Sequence, residues 1–260
     1  MSRWTDVPAA KWAWFRGVLA EGSMLAFDPR NALPSEWSLK PEDTLGLNFW
    51  TKDPRNLLID RELLKPYKVK IHMTITGWEE VEKGAPTLKD ALWLLEDTAK
   101  VFGAENVTWR FSPVPLVTDV ADRFGRICAK ASRAGVREVY LAFLQENDLM
   151  SETRTVSERE ELLKKLGDRA AVFGIHVKLC ADDQRLLQGG CLHHNVSHGI
   201  CAGPADWGGL PEAEGCGCAI MIDPFSINES CTFGCQYCYA ADKSLLPKKI
   251  NTTRSLPIVP

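Results

Sequence analysis

The stretch CTFGCQYCYA, residues 231–240, sets Cys231, Cys235 and Cys238 in a Cys-x3-Cys-x2-Cys spacing close to the end of a 260-residue chain. Three thiols so near one another in a chain with no export signal point to metal rather than to disulfides. A [4Fe-4S] cluster usually takes four cysteines, so three complete three corners and leave one iron open. An open iron can bind a small molecule, by the logic that keeps one position of a catalytic zinc free. S-adenosylmethionine can chelate such an iron through its amino and carboxylate groups, which brings its sulfonium beside the cluster for one-electron cleavage. Gly234 can take a positive φ and fold the backbone around a compact cluster, so it counts as a candidate cofactor-binding residue. Two plainer readings stand beside this one. The thiols could be a structural zinc site completed by Cys218 or a histidine, in a zinc-stapled, non-enzymatic binding module with nucleic acid as one conceivable ligand, or they could be three reduced cysteines.

The chain has nine cysteines, and only Cys128 lies in the first 179 residues. Cys128, in a helix pattern, and Cys180, in a strand pattern, read as core residues, with lining of the pocket the alternative for Cys180. Cys191, Cys201, Cys216 and Cys218 form a second group, with His193, His194 and His198 nearby. They could hold an auxiliary iron-sulfur cluster or a zinc; the alternative is ordinary thiols lining loops.

Six short apolar, β-branched or aromatic runs read as strands: 45–50, 69–75, 106–111, 138–143, 175–180 and 219–223. Several are apolar nearly throughout, as in strands covered on both faces. Between them lie helix patterns: PAAKWAWFRGVLAEG, LKDALWLLEDTAKVFG after Thr87 and Asp90, DRFGRICAKASRAG with Asp122 as a cap, and EREELLKKLGDRAAVFG with Ser157 and Glu160 as its capping pair. Alternation of this kind implies a parallel α/β sheet. No Gly-x-Gly-x-x-Gly follows a strand, and the units recur about every 30 residues, so a partial (β/α) barrel is expected rather than a dinucleotide-binding open sheet. A single domain over 1–260 is expected, with a cysteine-rich irregular segment at 184–218 and the cysteine loop at 231–240.

Parallel folds build their sites at the C-terminal ends of the strands. The polar residues expected there are Asn48, Thr51, Lys52, Thr74, Thr76, Arg110, Gln145, Glu146 and Asp182. Arg110, set among apolar strand residues, needs an anionic partner, either a carboxylate of cofactor or substrate or a structural ion pair. Arg110 and Lys52 are the candidate catalytic residues, and Asn48 and Thr51 candidate cofactor ligands.

A formal charge of -3 gives no global argument for a polyanionic partner. No apolar run reaches bilayer-spanning length, and the opening MSRWTDVPAAKWAWF lacks the basic-then-apolar order of a secretory signal, so a cytoplasmic, soluble protein is expected.

The cysteine loop resembles that of radical S-adenosylmethionine enzymes. The wider pattern of RWTDVPA at 3–9, FWTKDPRNLL at 49–58, WRFSPVPL at 109–116, CGC at 216–218 and the terminal loop resembles the DUF1848 family. The resemblance implies a circularly permuted barrel whose first strand is encoded last, at 219–223. It also implies a [4Fe-4S] cluster on Cys231, Cys235 and Cys238, bound S-adenosyl-L-methionine, an external electron donor and a substrate it does not name. Tyr237, just before the third cysteine, stands where such enzymes pack against the adenine; its other role would be to wedge the loop against the barrel. Arg3 and Asp6 enter as site residues through the same resemblance, although Asp6 also suits a helix cap.

Overall fold

A computed structural model of the chain describes residues 5–27, 33–144, 150–179, 195–198, 222, 224 and 231–238. The order of elements is α1 (Val7–Ala10), α2 (Trp12–Glu21), β1 (Ser23–Phe27), β2 (Pro34–Ser38), β3 (Leu47–Thr51), α3 (Arg55–Ile59), α4 (Arg61–Leu64) and β4 (Val69–Thr74). After these come α5 (Leu88–Phe102), β5 (Val107–Phe111), α6 (Val120–Arg133), β6 (Glu138–Leu141), α7 (Val156–Val172), β7 (His176–Leu179) and β8 (Val196–His198). The short pair β1 and β2 forms a separate antiparallel hairpin.

Strands β3 to β8 form one parallel sheet in the order β3-β4-β5-β6-β7-β8. Each crossover therefore advances one position in the same direction, and among the described strands there is no reversal of order of the kind that defines a doubly wound sheet. Five of the six runs read as strands pair in this sheet. The sixth, 219–223, lies outside the described residues except for Ile222, which packs against the core.

Alternation along each strand divides the sheet into two chemically distinct faces. On one, Phe49, Ile71, Met73, Trp109, Phe111, Val139, Leu141, Val177 and Leu179 are buried with helix residues such as Leu95, Ile127, Leu163 and Leu166. Phe124 of α6 lies 4.9 Å from Trp109 and 5.1 Å from Phe111, ring centre to ring centre. Cys128 is buried here too, and burial pushes its thiol up to about 12, which suits the core role expected of it. The strands' other face carries Asn48, Trp50, His72, Thr74, Thr108, Arg110, Tyr140 and Lys178. Polar residues on that alternation, inside strands that are otherwise apolar, mark the face available for chemistry.

Three expectations from sequence are corrected. Helix α7 is capped by Thr155 and Glu158, not Ser157 and Glu160: the Thr155 N–H donates to Glu158 Oε2 at 2.7 Å, and its Oγ1 accepts from the Glu158 N–H. The same spacing occurs twice in TVSERE, and the earlier pair supplies the reciprocal bonds. Asp122 does not cap α6, which starts at Val120; it lies in the first turn and pairs with Arg169 at 2.8 Å. The segment 184–218, read as irregular, contains β8, which pairs in parallel with β7. Asn195 secures it by donating to the carbonyls of Gly167 and Ile175.

Because Phe124 is fully buried between two aromatic side chains, Phe124→Ala should cost about 3–5 kcal/mol, read as a shift of the urea unfolding midpoint at unchanged slope.

Candidate functional site

Lys52 follows directly on β3, Thr76 lies two residues beyond β4, and Glu82 lies in the loop that leads on to α5. All three sit at the C-terminal ends of strands. The Lys52 ammonium donates to Glu82 Oε1 at 2.9 Å, and the Thr76 hydroxyl donates to the same oxygen at 2.6 Å. A third donor comes from the far end of the chain, since the Tyr237 hydroxyl also bonds Glu82 Oε1. Side chains from β3, from the β4 loop and from the cysteine turn thus meet on one buried carboxylate oxygen.

Burial opposes the Lys52 charge, but Glu82, Cys235 and Cys238 outweigh it and hold the ammonium above its usual value. Lys52 is therefore a fixed cation whose charge reaches all three thiols. Burial, followed by the charge of Glu82, holds the Tyr237 phenol well above its usual range, so it remains a neutral donor.

Residues 231–238 are fastened by backbone as well. The Gly84 N–H donates to the Phe233 carbonyl at 3.1 Å, and the Gln236 N–H donates to the Val81 carbonyl at 3.0 Å. Gly84 has no side chain for a reason: a Cβ there would stand 2.6 Å from the Phe233 carbonyl oxygen. Gly234 has φ 61°, the left-handed turn expected of it, and the Cys238 N–H closes the turn onto the Cys235 carbonyl at 3.0 Å. The backbone N–H groups of Phe233 and Asp6 lower the Cys231 thiol, against its burial. Burial raises the Cys231 thiol, and it pushes Cys235 up to about 12 against the opposing pull of Lys52.

Among the described residues, no three His, Cys, Asp or Glu side chains converge closely enough for a single ion. One tetrahedral zinc draws its sulfurs to about 4 Å from each other, given Zn–S bonds of about 2.3 Å. Thiolates that each bind a different iron of a cluster need not approach so closely.

Asp6 joins the N-terminus to this site. Its Oδ1 accepts from the Ala9 N–H at 3.0 Å and caps α1, as foreseen, while its Oδ2 accepts from the Lys52 N–H at 2.8 Å. The second contact was not anticipated, because no sequence pattern links positions 46 residues apart. Glu82, the hub of the arrangement, was also missed; in WEEVEKG it reads as one of several solvated acids.

The other candidates separate by face. Arg110 and Asn48 lie on the polar face of the sheet, and the Arg110 guanidinium sits 5.2 Å from the centre of the Trp50 ring. Thr51 pairs with Met73 across the strands and is buried on the helix-covered side, where its hydroxyl accepts from the Asp53 N–H and supports Asp6. Tyr237 stacks on Trp78 at 5.9 Å and 14°, lies 5.7 Å from Lys52 Nζ and bonds Glu82, which are the contacts of a wedge. Arg3, Gln145, Glu146, Cys180, Asp182, Cys191, His193, His194, Cys201, Cys216 and Cys218 lie outside the described residues. Of His198, only its place in β8 is described.

A family model described as "Domain of unknown function (DUF1848)" matches residues 1–240. No curated protein matches the chain. Among solved structures, one described as IOLI protein with a binding zinc atom has 16% identity and a TM-score of 0.41, covering 60% of this chain and 62% of that one. An L-ribulose 3-epimerase has 14% identity and a TM-score of 0.36, covering 58% of each chain. A D-allulose 3-epimerase from Methylomonas sp. has 12% identity and a TM-score of 0.31, covering 52% of this chain and 48% of that one. The matches span less than two thirds of each of those chains. No helix among the described residues is long and apolar enough to cross a membrane.

Two outcomes follow from this geometry. Gly84→Ala should unseat the cysteine turn without unfolding the sheet, so reaction of Cys231, Cys235 and Cys238 with a thiol reagent should accelerate at least tenfold while the far-UV spectrum holds. Burial raises the Asp6 carboxyl from 3.8 to about 7. The folded chain then retains a proton that the unfolded chain has released, so stability is highest below pH 4 on this account, falls as pH rises to about 7 and is flat above. At about 1.36 kcal/mol per pH unit the loss is on the order of 4 kcal/mol. Asp6→Asn should flatten that part of the profile, measured by urea unfolding of the metal-free protein at pH 4, 5.5, 7 and 8.

Proposed function

The chain belongs to the DUF1848 family, and we propose that it is a radical S-adenosylmethionine enzyme whose [4Fe-4S] cluster is held by Cys231, Cys235 and Cys238. The observation that carries this reading is the seating of the cysteine turn on the loops that follow β3 and β4, through Gly84, Val81 and Glu82. Three soft thiolate donors on one compact turn suit an iron-sulfur cluster. The cradle at Gly84 admits the turn only because no Cβ fills it. When bound, such a cluster supplies one-electron reduction of S-adenosylmethionine, the source of a 5'-deoxyadenosyl radical for hydrogen abstraction from a substrate.

The chain's own residues have separable roles in this reading. Cys231, Cys235 and Cys238 are the ligands. Lys52 places a positive charge beside the thiolates and offsets their mutual repulsion, and Glu82 holds Lys52 in place. Tyr237 and Trp78 lock the turn, so the ligands are positioned by the sheet rather than by the loop alone. Asn48 and Arg110 face the volume in which cofactor and substrate would lie, and an external donor delivers the electron. The architecture is read as a partial, circularly permuted (β/α) barrel. Two features support this: the strand order advances without reversal, and the turn at 231–238 returns to the loops of the first units. A reducing cytoplasm suits free thiols of this kind.

The test is anaerobic reconstitution with iron and sulfide, reduction, and chromatography of the products. Methionine and 5'-deoxyadenosine should appear at a slow uncoupled rate without substrate, and each of Cys231→Ala, Cys235→Ala and Cys238→Ala should abolish their release. Intact S-adenosylmethionine over a fully loaded cluster would refute the assignment, and a colourless, zinc-loaded protein would instead favour the stapled binding module.

A further inference from the structure

Among the described residues, the polar face of the sheet carries an arginine and a histidine with buried nitrogens that no neighbouring side chain satisfies. Register places Thr74, Arg110, Tyr140 and Lys178 in one row across β4 to β7, and Trp50, His72 and Thr108 in the row behind it. Lys178 is paired with Glu138 at 3.7 Å. Arg110 differs: among the described residues no carboxylate lies within ion-pair distance of it, and its Nη1 is buried without a hydrogen-bond partner. The ring of Trp50, 5.2 Å from the guanidinium carbon, holds that group by its π face, and a cation so held keeps its edge donors for another ligand.

His72 supplies the independent observation. It is 1% exposed, and its Nδ1 is also buried without a partner. The Tyr140 ring meets it edge to face at 5.8 Å, which fixes the imidazole plane. Burial first, then the charges of Arg110 and Lys70, holds His72 well below its usual value. The imidazole is neutral, with one N–H to give and one nitrogen to accept. Two buried polar groups on adjacent strands, close enough to feel each other's charge, thus both lack the partner that buried polar groups ordinarily have. A planar guanidinium fork beside a ring N–H matches an oxyanion better than any neutral ligand.

We infer that Arg110 and His72 form the subsite for a substrate's oxyanion, a carboxylate or phosphate, on the sheet face beside the cysteine turn. Its location fits. Thr74, the strand partner of Arg110, lines the small cavity bordered by Lys52, Thr76 and Glu82, the last of which bonds Tyr237 of that turn. An anion anchored at Arg110 sits one strand away from that cavity, and the rest of the substrate can extend toward the turn. The word substrate rests on the proposed activity; the anion site itself does not.

The test uses the full-length protein labelled at its five histidines, with the His72 resonances assigned by their loss in His72→Gln. Inorganic phosphate is titrated at constant ionic strength against chloride. The expected result is a saturable shift of His72 with phosphate and none with chloride, weakened at least tenfold in Arg110→Met. Arg110→Lys, which keeps the charge but not the fork, should fall between, and it serves as the reading should the methionine variant not fold. No saturable shift, an equal shift with chloride, or equal affinity in the Arg110 variants means an adventitious ion only, and overturns the subsite. A repeat on reconstituted protein with S-adenosylmethionine separates the sources of the anion. A persisting phosphate response upholds a substrate site, whereas its loss places the cofactor's own carboxylate on Arg110 and overturns the substrate assignment. Failure of the radical reading shows separately, as absent nucleoside release, since the titration of the metal-free protein needs no cleavage of the cofactor.

Discussion

One carboxylate oxygen organises the site. Glu82 Oε1 receives Lys52, Thr76 and Tyr237, and these three come from the end of β3, the end of β4 and the cysteine turn. Each donor alone is an ordinary hydrogen bond. Together they compensate a carboxylate whose side chain is only 7% exposed, and a buried ion pair is tolerated only when its remaining valences are filled. The dependence is mutual. Lys52 keeps its proton because Glu82, the foremost of its acidic neighbours, offsets desolvation, and Tyr237 stays neutral because it is buried beside Glu82. Loss of the Glu82 carboxylate would leave a buried ammonium and an unanchored phenol, so the loop, the charge and the strand ends stand or fall as a unit.

The division of the sheet into two faces explains why so much of the fold is legible in sequence while the site is not. Runs such as VTWRF announce a strand by their β-branched and aromatic content, and five such runs fall on strands. Helix boundaries follow from glycines and capping residues within a few positions, and the overlapping TVSERE pattern shows how little separates two valid caps. Arg110 and the cysteines are legible because their chemistry is unusual for their setting. Glu82 and Asp6 are not, because an acid in a charged stretch and an acid before a helix are ordinary in sequence; only the closure of segments 155 and 46 residues apart makes them exceptional. Thr51 shows the converse. Its neighbours Asn48 and Lys52 sit where chemistry is expected, but alternation turns its side chain toward Asp6 and the covered face.

The β1–β2 hairpin and β8 were illegible for a different reason. SMLAF and PSEWS are short and half-exposed, and the second opens on a proline, so neither rises above loop composition. Three residues of β8 become a strand because β7 offers an edge and Asn195 ties the entering backbone to Gly167 and Ile175. Their local sequence has little to say about that outcome, since tertiary pairing overrides weak propensity.

The position of the cysteine turn late in the chain has a physical consequence for how the site comes together. Its contacts to Gly84, Val81 and Glu82 close loops of about 150 residues, and such closure must follow rather than nucleate formation of the sheet. The turn itself has little apolar surface to bury; among its described residues Phe233 and Cys235 are the buried ones. A seat prepared on the sheet, with Gly84 leaving room and Glu82 holding out an acceptor, compensates for that weakness. Any ligand that binds the seated turn and not the free one adds stability in proportion to the logarithm of its saturation. Seating and ligation are therefore linked equilibria, and the sheet can organise three thiols before any ligand arrives while leaving the final tightening of the loop to the ligand itself.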